Sequence, residues 1–143
     1  MTIQNPAFLP MVVDAARAAQ SVADAPARAA ALVLRRHAEA ADAVASECWT
    51  ALLAGCQTPA RRALPAKLRE LTQATSLFLG ARCWFSASSP HRARVIDAQE
   101  RITDAVREGD GAEFAAAFAG YDQAVATAMA SVRGRVAVRQ EAR

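Results

Sequence analysis

The chain has 143 residues, the length of one domain, and 53% of them are hydrophobic, but much of this fraction is alanine. Only five Phe, two Trp and one Tyr supply large aromatic side chains, so we expect a thin core and further burial by self-association or adsorption to an apolar surface. Residues 133–143 hold four arginines against one glutamate and so account for the whole formal charge of +3, a distribution that argues against a nucleic-acid-binding protein.

Apolar residues at helical spacing, without alternating strand patterns, predict an all-α chain. The first predicted helix runs from about Pro10 to Ala23. The second begins behind Asp24, an N-cap candidate, and ends at about Ala54, before Gly55, which suits the left-handed position after a helix. One stripe on this second helix, at alternating spacings of four and three residues, is predicted to pack on a partner helix: Leu34, Ala38, Ala41, Ala45, Cys48 and Leu52.

The third predicted helix follows the capping residue Thr58 and Pro59. Pro65 predicts a brief first turn here and then a main helix over residues 65–86. Four basic side chains near the helix start oppose its dipole: Arg61, Arg62, Lys67 and Arg69. We favour a solvated face with Glu70 as a local partner, and contact with an anionic surface or an acidic partner is the alternative.

A fourth helix is predicted to start at Ser89 and Pro90 and to end at Gly109, with charges of alternating sign on its solvated face. Asp110 and Glu113 form a capping-box pattern, which predicts the start of a fifth helix. Its apolar stripe repeats the spacings of four and three residues: Phe114, Phe118, Tyr121, Val125, Ala128 and Val132.

These segments predict one domain, an antiparallel bundle of four to five amphipathic, Ala-rich helices over residues 1–132. A basic, flexible tail is predicted over residues 133–143, with an acidic partner as a candidate for docking. The N-terminus has no basic stretch before its short apolar run, and nothing approaches the ~20 apolar residues that span a bilayer. The sequence therefore predicts a cytoplasmic chain without a secretory signal or a transmembrane segment.

Motifs for catalysis or cofactor binding are missing from the sequence. His37 and His91 lack acidic or cysteine partners at metal-ligand spacing, and Cys48, Cys56 and Cys83 show no CxxC pattern. There is no phosphate-binding loop and no nucleophile elbow. We therefore expect no catalytic residues, no metal and no cofactor, and predict that the protein is not an enzyme.

The segment ASECWTALLAGCQTPARRALPAKLRELTQATSLFLGARCW, residues 45–84, resembles the phasins, helical proteins that coat polyhydroxyalkanoate granules. It has an Ala-rich amphipathic helix, a short break that ends in Thr58 and Pro59, and a second amphipathic helix. The opening NPAFLP is similar to the Asn-Pro-Phe start of many phasins. Arg61 and Arg62 depart from the family pattern, which usually has Gln or Glu soon after the break.

The resemblance implies a cytoplasmic, granule-associated protein that coats the polymer through amphipathic helices and forms homo-oligomers. The implied contact residues for the granule surface or for self-association are large apolar side chains: Trp49, Leu52, Leu53, Leu77, Phe78, Trp84, Phe85, Phe114, Phe118 and Tyr121. The same side chains are also suited to form the bundle's own core, and the sequence leaves both alternatives open.

Two further functions stay open. Residues 100–118, ERITDAVREGDGAEFAAAF, resemble the helix–Gly–Asp–helix hairpin in effector domains of GntR-type regulators, which implies a ligand-sensing bundle. No DNA-binding helix-turn-helix precedes it, and the metal ligands of those domains are not evident. The other alternative is an oligomeric adaptor whose Arg-rich tail docks on an acidic partner.

Overall fold

The chain folds into an all-α bundle. The computed structural model describes residues 7–22 and 24–141, with side chains for residues 7–21 and 24–132. Over these ranges the chain forms six helices and no strand: α1 (Pro10–Val22), α2 (Ala25–Ala54), α3 (Pro59–Leu79), α4 (Ala81–Trp84), α5 (His91–Glu108) and α6 (Gly111–Glu141). The predicted all-α class is confirmed.

Two long helical hairpins and one shorter helix build the bundle. Helices α2 and α3 pack along each other, as do α5 and α6, and α1 packs against α2 and α6. Short connections make the partners of each hairpin antiparallel. Polar side-chain contacts cross both hairpins, at 3.8 Å between His37 Nδ1 and Glu70 Oε2 and, as an ion pair, at 2.9 Å between Arg101 Nη2 and Glu113 Oε1.

The ends of α2 form as its sequence predicts. The Asp24 carboxylate accepts a hydrogen bond from the Ala27 N–H at 3.0 Å, which satisfies one of the free donors of the first turn. Gly55 adopts φ 71° and ψ 25°, and its N–H donates to carbonyl oxygens of the last turn. All six residues of the predicted α2 stripe are buried, so this face packs inside the bundle.

The prediction for the third helix was wrong at both ends. Helix α3 is continuous from Pro59 to Leu79 and contains Pro65. Proline there costs one backbone hydrogen bond, but Ala60 and Leu64, in the turns that precede it, are buried in the core, and this packing holds the first turns helical. The helix ends at Gly80, whose φ of 87° and ψ of 144° are not helical, and the one-turn helix α4 follows.

The connection between α5 and α6 forms only half of the predicted capping box. Gly109 ends α5 with φ 71°, and the Asp110 carboxylate accepts from the Glu113 N–H at 3.0 Å. The Asp110 N–H, however, donates to the Ala105 carbonyl oxygen, and the Glu113 carboxylate pairs with Arg101. Because Gly109 ends α5 in the left-handed conformation, the Asp110 N–H bonds to the last turn of α5 and not to the Glu113 side chain, as a full capping box would require.

The core is richest in aromatic side chains at the end of the bundle where α1 begins. The Phe118 ring centroid lies 5.1 Å from that of Phe114, 5.3 Å from Phe8 and 6.2 Å from Tyr121. The buried Tyr121 hydroxyl donates to the Leu68 carbonyl oxygen at 3.3 Å. Five members of the predicted α6 stripe are fully buried, and the sixth, Val132, is half-buried against the core.

The predicted basic tail coincides with the end of α6. Its backbone is helical as far as Glu141, whereas the side chains of residues 133–143 lie outside the described part of the chain. Its flexibility and its docking on an acidic partner stay predictions.

Candidate functional site

The structure divides the ten predicted contact residues between the interior and the surface. Five are buried: Leu52, Trp84, Phe114, Phe118 and Tyr121. Trp49 and Phe78 are half-buried against the core, and Leu53, Leu77 and Phe85 are exposed. In the closed bundle the five buried residues form part of the core and are not surface contacts, because neighbouring helices already cover their apolar surface.

Three of the exposed large apolar side chains lie towards one end of the bundle, whereas Met11 and Leu53 are exposed elsewhere. Leu77 is 69% exposed near the end of α3, and Phe85 is 65% exposed just after α4. Val33, on the neighbouring helix α2, is 45% exposed. The cross-helix pair of His37 with Glu70 fixes the register, because Val33 lies one turn beyond His37 and Leu77 two turns beyond Glu70 in the same direction.

Gly80 and the short helix α4 decide which of two consecutive aromatic residues is exposed. Trp84 is only 4% exposed and belongs to the core, whereas the next residue, Phe85, points to solvent. The Arg92 guanidinium lies over the Phe85 ring at 5.1 Å from its centroid, a cation–π contact that holds the ring at the surface.

The segment that contains Leu77 and Phe85 carries positive charges and no negative ones. Residues 71–96 contain Arg82, Arg92 and Arg94 but no Asp or Glu, and all three arginines are exposed. We call the exposed residues Val33, Leu77, Phe85, Arg82 and Arg92 at this end of the bundle the apolar–basic end. Sequence reasoning singled out Leu77 and Phe85 but missed Val33 and the two arginines, although the 26-residue gap between carboxylates was a visible signal.

Arg61 has a structural contact that explains a positive charge near a helix start. Its guanidinium donates from Nη1 to the Cys56 carbonyl oxygen at 3.2 Å and from Nη2 to the Val106 carbonyl oxygen at 2.8 Å. These carbonyls lie at the C-terminal ends of α2 and α5, where the helix dipoles favour a cation. Arg61 is therefore half-buried between two helix ends, and its assignment to a solvated face was wrong.

Replacing Arg61 with methionine is expected to lower the free energy of unfolding by about 1 kcal/mol. The variant keeps the apolar stem but loses both hydrogen bonds to the helix ends, one of which is partly buried. Urea denaturation followed by circular dichroism measures the change. The matched control is Arg62→Met, an exposed neighbour, which should shift stability by less than about 0.5 kcal/mol; equal losses in both variants would contradict the assignment.

Two carboxylates hold the N-terminal end of α1. Asp42 accepts from the Phe8 N–H at 2.7 Å and the Leu9 N–H at 3.0 Å. Asp122 is 4% exposed and accepts from two further N–H groups of α1, those of Met11 and Val12. Burial raises the pKa of Asp122, and these two hydrogen bonds oppose the shift.

No group of three or more His, Cys, Asp or Glu side chains among the described residues is placed to hold a metal ion. None of the helices, over the part of the chain that the structure describes, combines the length and the apolar character needed to cross a membrane. Comparisons of the chain with protein-family models, with curated proteins and with solved structures gave no match.

Proposed function

We propose that this chain is a non-enzymatic, phasin-like protein that coats polyhydroxyalkanoate granules and self-associates on their surface. The observation that carries the proposal is the exposure of Leu77 and Phe85 at an end of the bundle that also presents Arg82 and Arg92. Large apolar side chains that are exposed beside cationic ones are suited to anchor a protein on an apolar surface.

The chemistry of the apolar–basic end suits a polyester surface. The polymer backbone offers apolar area to Leu77 and Phe85, and full burial of each such side chain is worth about 1.5–3 kcal/mol. Carboxylate chain ends at the granule surface are partners for Arg82 and Arg92. Many copies on one granule add avidity to a modest contact per molecule, so a coat forms without a deep binding pocket.

We expect the bundle to bind in its closed form. The apolar stripes of α2 and α6 are already buried against other helices, and exposing them to the polymer would cost the core that holds the fold together. The end of the bundle, by contrast, is accessible without any opening. Among the residues implied by the resemblance, this assigns Leu77 and Phe85 to the granule and the buried side chains to the core.

Replacing both Leu77 and Phe85 with glutamine is expected to reduce co-sedimentation with purified polyhydroxybutyrate granules at least tenfold. Both side chains are exposed, so the double variant should fold normally while it loses most of the apolar anchor. The matched control is Leu53→Gln, because Leu53 is 64% exposed near the opposite end of the bundle, and this variant should bind as wild type does.

The proposal fails if wild type does not bind the granules, or if the double variant binds them undiminished. Sedimentation equilibrium of the same variants tests self-association. If wild type is an oligomer without affinity for granules and the double variant is a monomer, the apolar–basic end is an interface between copies, and the chain is an oligomeric adaptor.

A further inference from the structure

A second feature, separate from the apolar–basic end, is a cleft of about 350 Å³ between α5 and α6. Its floor is apolar, with Ala98 and Ala124. Polar and cationic side chains from both helices surround this floor: His91, Arg94, Arg101, Gln123 and Thr127. The remaining wall position is Gly120, which has no side chain. Its volume lies in the range of small-molecule sites.

The α5 wall of the cleft carries the positive charge. Arg94 and Arg101 are seven residues apart, which puts them two helical turns, or about 10 Å, from each other along the axis. The Arg101 guanidinium pairs with the Glu113 carboxylate at 2.9 Å in an exposed ion pair. Arg94, in contrast, makes no side-chain hydrogen bond or ion pair with any described residue, and Asp97 forms no salt bridge with either arginine within that part of the chain.

The α6 wall supplies neutral hydrogen-bonding groups and open space. Gln123 and Thr127 are one turn apart and present an amide and a hydroxyl to the same cleft. Gly120 lies one turn before Gln123, and a Cβ added there would meet nothing within 4 Å. Glycine weakens a helix interior relative to alanine, and no neighbouring group requires it here, so its effect is to leave the backbone of α6 bare at the cleft.

We propose that this cleft binds a small organic anion through a carboxylate or phosphate group. Arg94 and Arg101 bind the anionic group with charge-assisted hydrogen bonds, and Gln123 and Thr127 contact the polar remainder of the molecule. The bare backbone at Gly120 gives the ligand the room that a side chain would occupy. This site is independent of granule binding, because none of its residues belongs to the apolar–basic end.

Isothermal titration calorimetry tests the site with four probes at constant ionic strength: inorganic phosphate, pyrophosphate, citrate and glucose 6-phosphate. At least one probe is expected to bind wild type with one site per chain, and Arg94→Gln should weaken that binding at least tenfold. The matched control is Arg107→Gln, a change to an exposed arginine on the same helix that pairs with Asp104 outside the cleft, and it should leave the affinity unchanged.

Gly120→Leu provides a test that loss of folding cannot imitate. The new side chain enters the open cleft and improves helix propensity, so the thermal midpoint should stay equal or rise while anion binding falls at least tenfold. Three results overturn the proposal: no probe binds wild type, Arg94→Gln binds as tightly as wild type, or Gly120→Leu leaves the affinity unchanged. The third would place the anion on the arginines outside the cleft. Both variants should still co-sediment with granules, which keeps the two proposals separately testable.

Discussion

Replacing Phe118 with alanine is expected to lower the free energy of unfolding by about 3–5 kcal/mol, the usual range for truncating a buried aromatic side chain. Phe118 is fully buried, and its ring contacts Phe8 from the segment before α1 as well as Phe114 and Tyr121 on its own helix. The cavity opens where α1 meets α6, so neighbouring rings on two elements would have to move to fill it. Urea denaturation followed by circular dichroism measures the loss.

The control for this prediction is Phe85→Ala, the same change at a residue that is 65% exposed. The Phe85 ring contacts the Arg92 guanidinium, and truncation of this exposed side chain should change stability by less than about 0.5–1 kcal/mol. The two variants should also differ in function, because only Phe85→Ala is expected to weaken granule binding without unfolding the chain. Similar stability losses at both positions would mean that Phe118 is not the core residue that its burial indicates.

Local sequence signals were sufficient to predict most of the helix ends. Asp24 caps α2, and Gly55 and Gly109 end α2 and α5 in the left-handed conformation, because these roles depend on interactions within a few residues. The spacing of apolar residues likewise identified the buried stripes of α2 and α6. A stripe that repeats every three or four residues defines one face of a helix, and a helix in a bundle must bury that face.

The errors and omissions arose where contacts distant in sequence decide the outcome. The continuity of α3 through Pro65 depends on the burial of Leu64 against other helices, which no local pattern reports. Periodicity also could not show that Trp84 is buried and Phe85 exposed, because both follow the non-helical Gly80, which interrupts the helical repeat. The cleft between α5 and α6 was missed for the same reason, since Arg94 and Gly120 come together only after the hairpin closes.

Replacing Asp122 with alanine is expected to lower the free energy of unfolding by about 2–3 kcal/mol at neutral pH. Asp122 accepts hydrogen bonds from the Met11 N–H at 3.2 Å and the Val12 N–H at 2.9 Å, and both donors lie in the first turn of α1. Alanine leaves these backbone groups without their acceptor in a buried environment, a loss of about 1–3 kcal/mol for a buried donor. Denaturant titration measures the loss, and Asp122→Asn, which keeps one acceptor oxygen, should lie between alanine and wild type.

The pH dependence of stability distinguishes the loss of the Asp122 carboxyl from a packing defect. Only a titrating group makes the stability difference between wild type and Asp122→Ala change with pH. Burial raises the pKa of this carboxyl above its ordinary value of 3.8, so the folded chain binds its proton more tightly than the unfolded chain does. The resulting contribution to stability is fully present below pH 3.8 and is lost as the pH rises through the folded-state pKa. The stability difference between wild type and Asp122→Ala should therefore be larger near pH 4 than at pH 7. A difference that is constant over this range, or that grows as the pH rises, would show that the carboxyl does not titrate from the buried position at the start of α1.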